Sequence, residues 1–361
     1  MGIYGLVAIP AYLFGGPLAD RFPARWLMSI ALIATAAIGA VFLGEPSPTL
    51  LAVAYGGFGL STILLFWSAM IRVTHQIGGP ERRGLAFGVL DAGRGAVAAG
   101  LATALAFGVA DDGQGGADLR TVVGVMIATV VVAAVVVALT IGDGHQASDA
   151  AGFDVRQLRS VVGNVGLWRQ GGVLLAAYVG YKSIDLFGVW AVEVAETSET
   201  DAARWTLAAL WMRVPATLSV GWLSDFTDRR RWLAALFAGA AAALFVLAVL
   251  PGIGTGSASR SVGCVIAAVA VLSSAASIYA MRAVYFAMFD SLGVPAAAVG
   301  TAAGLVSMIG FLPDVFFLAV AGRIIDVMPD GVGVRWVLAG VAAMSLVGAA
   351  LATAGTSQRR Q

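Results

Sequence analysis

The chain has 361 residues, of which 59% are hydrophobic and only 12% charged, and its formal net charge is +1. A soluble domain is usually about 45–50% apolar and about 25% charged, so this composition, with a mean hydropathy of +0.89, excludes an ordinary soluble domain. The near-zero charge argues against nucleic acid as a partner. One cysteine, Cys264, rules out an internal disulfide and a cysteine metal site, and the two histidines, His75 and His145, fall in polar loops.

Residues 1–18 carry no basic leader segment and no A-x-A cleavage site, so they read as a membrane span and not as a signal peptide. A helix needs about 20 apolar residues to cross about 30 Å of hydrocarbon. Eleven stretches meet that length: 1–19, 26–44, 49–71, 84–110, 120–141, 168–192, 201–223, 232–251, 260–282, 295–321 and 333–355. They are too long, and alternate too little, for a transmembrane barrel. The fold class is therefore an all-α polytopic membrane protein.

The loops alternate in charge. "DRFPAR", "IRVTHQIGGPERRG", the segment 142–169, "SDFTDRRRW", the Arg282 loop and the tail "TSQRRQ" together hold 14 of the 22 basic residues, and the opposite side holds 5. This bias places the Arg-rich side and the C-terminus in the cytoplasm.

The first Arg-rich loop, "GGPLADRFPARW", has a second copy. Gly16, Leu18 and Asp20 match Gly221, Leu223 and Asp225, 205 residues later. A second pair runs in parallel: "RGLAFGVLD" resembles "VGTAAGLVS", with Gly84 and Gly88 matching Gly300 and Gly304 at an offset of 216. Two related halves follow, residues 1–141 and 168–361, joined by a cytoplasmic linker over 142–167.

"GPLADRFPAR" resembles the loop signature of the major facilitator superfamily, G-x-L-[AS]-D-R-x-G-R-[RK], which lies between that family's second and third spans. The later block resembles the counterpart between spans eight and nine. Pro23 and Ala24 depart from the pattern in the first copy, and Phe226 and Asp228 in the second. The resemblance implies a two-bundle fold: residues 1–141 would supply family spans 2–6, without the first span, and 168–361 spans 7–12. It implies a secondary transporter in the plasma membrane, working by alternating access as a symporter or antiporter. It also implies a cytoplasmic gate motif formed by Gly16, Asp20, Arg21 and Arg25 in the first half and Gly221, Asp225, Arg229 and Arg230 in the second. In that gate, Asp20 and Asp225 would pair with Arg side chains of neighbouring helices, with Arg72, Arg282 and Asp290 as further gate partners or anchors.

Six ionisable groups lie within spans, where each costs about 2.5–3.5 kcal/mol on insertion scales. Asp91 and Arg94 are three apart on one helix face, and Arg94 is roughly 16 Å along the axis from Arg83. Lys182 is the only lysine; it lies with Asp185, Tyr178 and Tyr181 in the most polar cluster of any span. Arg213 has no acid within reach on its own helix and must pair across helices, with Asp185 for instance, or meet an anion. Asp314 follows Pro313 near the outer end of its span.

For each of these groups the plainer reading is an internal salt bridge. The sharper reading makes Arg94, Tyr178, Tyr181, Lys182, Asp185 and Arg213 substrate or ion contacts, and Asp91, Asp185 and Asp314 proton-coupling groups. With Arg and Lys inside, the expected cargo is a small organic anion or similar metabolite, moved with proton or exchange coupling. No Walker sequence, cofactor motif, metal-ligand set or catalytic Ser–His pair occurs in the spans, so neither ATP, a cofactor nor enzymatic activity is expected. The partners expected are the bilayer, the substrate and protons, with the chain acting as a monomer. The competing reading is a non-transporting membrane sensor or an inactive truncated copy.

Overall fold

A computed structural model describes residues 2–108, 119–142, 155–250 and 257–354. The acidic stretch 110–118, His145 and the Arg-bearing tail 356–361 lie outside the described residues. Within them no β-strand occurs. The helices, in chain order, are α1 (Gly2–Arg21), α2 (Ala24–Gly39), α3 (Pro48–Phe58), α4 (Ser68–Gly78), α5 (Arg83–Gly108), α6 (Leu119–Thr140), α7 (Val155–Val162) and α8 (Val165–Ser183). They continue as α9 (Phe187–Glu193), α10 (Glu199–Trp211), α11 (Arg213–Asp225), α12 (Arg229–Val249), α13 (Ser257–Val284), α14 (Val299–Gly310), α15 (Pro313–Val327) and α16 (Val332–Thr353).

Ten stretches among the described residues are long and apolar enough to cross a membrane. The difference from eleven has a local cause. The expected span 201–223 is two helices of 13 residues each, α10 and α11, meeting at Met212. Pro215 has no N–H to return to the Trp211 carbonyl, so the helix breaks there and neither piece alone reaches span length. Other spans stay continuous but irregular. α3 runs into α4 through a π-helical stretch, Gly59–Trp67, and α8 into α9 through a 3-10 turn, Ile184–Leu186. The α14–α15 break precedes Pro313. Polar residues start the helices as expected: the Ser47 side chain accepts from Leu50 N–H, Ser198 from Asp201 N–H and Asp228 from Arg230 N–H.

The chain forms two compact units. The first comprises Met1–Gly79, Thr103–Gly171 and Phe289–Val315, and the second Pro80–Ala102, Gly172–Met288 and Phe316–Gln361. In the first, α1 packs on α14 and on the π-helical stretch, and α2 packs on α6. In the second, α12 lies between α13 and α16, and α11 packs on α13. Small residues set these crossings. The Phe237 ring occupies the space a side chain at Gly348 would need, the close approach that replaces hydrophobic driving force between helices in lipid.

Candidate functional site

Each unit contains one copy of the same joint. In the first, Asp20 stands near the C-terminal end of α1 and faces the start of α14. Its Oδ1 accepts from Gly300 N–H at 2.9 Å, and its Oδ2 accepts from Thr301 N–H and Thr301 Oγ1, both at 2.7 Å. In the second, Asp225 ends α11 and faces the start of α5. Its Oδ1 accepts from Gly84 N–H at 2.7 Å and its Oδ2 from Leu85 N–H at 2.8 Å. Each carboxylate thus satisfies backbone donors that a helix N-terminus leaves open and meets the positive end of its dipole.

The two repeats found in the sequence are therefore the two sides of one joint, used twice. Glycines let the helices approach. A Cβ on Gly16 would lie 2.7 Å from Gly300 O, and one on Gly88 would lie 2.5 Å from Thr217 O. Of the expected arginine partners, Arg229 bonds its aspartate directly and Arg72 stands farther off. Arg72 Nε is 3.9 Å from Asp20 Oδ1, while its Nη1 donates to Ala19 O; Arg229 Nη2 is 2.6 Å from Asp225 Oδ1 on the same loop. Arg21 and Arg25 lie over the adjacent rings of Phe22 and Trp26, at 5.7 and 4.9 Å, and Arg230 uses its backbone N–H on Asp228. His75 is not a loop residue: it is buried in the last turn of α4, 3.3 Å from Asp290.

The charged residues of the second unit converge. Asp91 on α5 takes a two-point fork from Arg213 on α11, Nε to Oδ2 at 2.9 Å and Nη2 to Oδ1 at 2.6 Å. Arg282 on α13 adds Nε to Oδ1 at 2.8 Å. All three are buried. Arg213 therefore pairs with Asp91 and not with Asp185, because α11 crosses α5 where Gly95 leaves room for the Arg213 side chain. Arg94 is exposed and interacts electrostatically with Asp91, Arg213, Arg282 and Tyr181.

Aromatic rings floor this cluster. Arg282 lies 4.8 Å over Tyr181 and Arg213 5.5 Å over Tyr279. Tyr181 stacks on Tyr178 at 5.3 Å, and the Lys182 ammonium is 5.5 Å over the Tyr178 ring. Asp185 is exposed in the 3-10 turn after α8 and interacts electrostatically with Tyr279. Asp314 stays apart, in the first unit. It occupies the first turn of α15, inside the apolar stretch that runs from Ala296 to Val327. The helix continues past Arg323 and Asp326 and stops before Pro329.

Sequence reading placed Arg282 among the cytoplasmic gate partners or anchors and passed over Tyr279. Arg282 closes the apolar run 260–282, and a charge at the end of such a run reads as a loop residue. The helix in fact continues to Val284, and Arg282 is buried in it.

The repeat offsets identify the matching place in the first unit. Arg213 corresponds to Ala8, Thr217 to Tyr12 and Asp91 to Ser307. There the crossing is uncharged: Trp67 Nε1 donates to Ser307 Oγ at 3.0 Å, and Phe311 stacks on Tyr12 at 5.3 Å.

Comparison with known proteins agrees with this architecture. The sequence model described as "Major Facilitator Superfamily" matches residues 1–313. The chain belongs to the Major Facilitator Superfamily. As a member of that superfamily it is a polytopic membrane protein of the secondary-transporter class. It is 24% identical over 368 residues to the inner membrane protein YqcE of Escherichia coli K12, a match covering 96% of this chain and 83% of the relative. Its fold is similar to that of the Escherichia coli fucose:proton symporter FucP, with a TM-score of 0.69 at 17% identity over 98% of this chain and 89% of that one. It is similar too to the human organic anion transporter MFSD10, with a TM-score of 0.69 at 13% identity over 97% and 82%.

Proposed function

We propose that this superfamily member carries a small organic anion across the inner membrane by alternating access, driven by a proton gradient or by exchange. The observation that carries the reading is the cluster in which Arg94, Arg213 and Arg282 gather at the carboxylate of Asp91. Charges inside a span are expensive and mark substrate or ion paths. The plainer alternative, a salt bridge needed to tie helices together, is weakened by the first unit, which makes the corresponding crossing from Ala8, Tyr12, Trp67 and Ser307 without any charge. A common fold does not choose the cargo, since one similar structure is a fucose:proton symporter and another an organic anion transporter. The side chains do, and these favour an anion.

In this reading the halves 1–141 and 168–361 rock about the charged cluster. The Asp20 and Asp225 joints form and break on the cytoplasmic side, where the C-terminus also lies. Arg94, Lys182, Tyr178, Tyr181 and Asp185 contact the substrate or a coupled ion, Arg213 stays forked on Asp91, and Asp185 and Asp314 are candidates for the proton. Counterflow in proteoliposomes across carboxylates, sugars and hydrophobic cations tests the class. Lys182→Ala should abolish uptake of the carboxylate while leaving expression intact; normal uptake in that variant overturns the site.

A further inference from the structure

We infer that Asp91 is a built-in stand-in for the transported anion, competing with it for the guanidinium of Arg282. The inference rests on the anion-carrying reading above.

Three observations carry it. First, the two arginines do not hold Asp91 equally. Arg213 engages both carboxylate oxygens, whereas among the described residues Arg282 reaches Asp91 through Nε alone, onto the oxygen Arg213 already uses. A guanidinium has five N–H donors in a planar fork that matches a carboxylate or phosphate, so the Nη edge of Arg282 keeps its capacity for a second anion. Second, Arg94 and Arg213 stand in electrostatic reach of Arg282, so an anion arriving at Arg282 meets the field of more than one guanidinium. Third, Arg282 ends a ladder of rings. Lys182 lies over Tyr178, Tyr178 stacks on Tyr181, and Tyr181 lies under Arg282. An anion meeting Lys182 is thereby led toward Arg282.

Binding then has a defined order. The anion takes Arg282, with Arg94 beside it, and Asp91 withdraws onto Arg213, which retains both of its bonds. Release is the reverse: Asp91 returns to Arg282 and displaces the anion. The carboxylate's function is to make departure favourable.

The test measures thermal shift and affinity of the purified full chain with sodium gluconate, sodium succinate and sodium phosphate, together with counterflow of the probe that binds. Asp91→Asn keeps the side-chain shape and removes the competitor. It should tighten binding by about tenfold, within the usual range of couplings between sites, and lower KM and kcat together because release slows. Arg282→Gln leaves the Asp91–Arg213 fork whole, so it should fold and lose affinity by about tenfold or more. If Asp91→Asn weakens binding, or if Arg282→Gln binds as the wild type does, the inference is overturned. If the wild-type chain binds none of the three probes, the anion-carrying reading fails and this inference with it.

Discussion

Asp20→Asn changes one atom and should open one helix end. In the wild-type chain the carboxylate of Asp20 accepts from Gly300 N–H, Thr301 N–H and Thr301 Oγ1 through two oxygens. Asn offers one acceptor oxygen and places an NH2 donor where the second was. One amide of α14 then faces a donor, and the charge opposite the helix dipole is gone. A hydrogen bond to a charged group is worth about 1.5–3 kcal/mol, and the dipole contributes about 0.3–1 kcal/mol. A net loss of about 2 kcal/mol corresponds to roughly a 30-fold change in local opening. Hydrogen exchange read by mass spectrometry over 299–303, in nanodiscs, should show that loss of protection. Asp225→Asn supplies the internal control, since it should deprotect Gly84 and Leu85 and leave 299–303 unchanged. Unaltered exchange at 299–303 in Asp20→Asn would refute the reasoning that the amides, and not Arg72, are the main partners.

Three further outcomes are expected. Gly88→Ala puts a Cβ 2.5 Å from Thr217 O, which forces α5 and α11 apart and lowers stability by about 1–3 kcal/mol; a Tm equal to the wild type's would contradict the close crossing. Asp91→Ala leaves Arg213 and Arg282 buried without their counter-ion, at a cost of about 3–5 kcal/mol, and thermal unfolding in detergent with and without added gluconate should show a lower Tm that the anion partly restores. Trp67→Phe retains ring packing on Phe311 but loses the bond to Ser307, about 1 kcal/mol, and a drop several times larger in thermal unfolding would mean the crossing depends on more than that bond.

What could be read from the letters alone follows from what they encode. Long apolar runs announce spans, and two blocks in register announce a repeat, so the membrane fold and the paired Gly–Asp joints were visible. Gly84 and Gly300 at the same register, each at a helix start, also held the clue to what grips them. The partners themselves were hidden because backbone amides have no letter. Arg282 was hidden for a different reason: hydropathy ends a span at a charge, whereas a buried arginine is carried into the span by a carboxylate on another helix. Arg213 was recognised as needing a partner, but its choice of Asp91 over Asp185 depends on which helices cross, and no spacing along the chain states that. Pro215 lies within the expected span 201–223, and its missing donor splits that stretch into α10 and α11.

The Asp20 and Asp225 joints also differ from ordinary salt bridges in how they can be lost. An arginine partner can disappear through a single codon change. A main-chain N–H is present whatever the codon, except when the codon specifies proline. At positions 84, 85 and 300 the donating side of each joint is therefore immune to all substitutions but proline, apart from the steric demand at the two glycines, while at 301 the amide is equally safe and only the Thr301 hydroxyl bond depends on the codon. Variation in these joints enters chiefly through the carboxylate side, which concentrates their genetic vulnerability in the two aspartates.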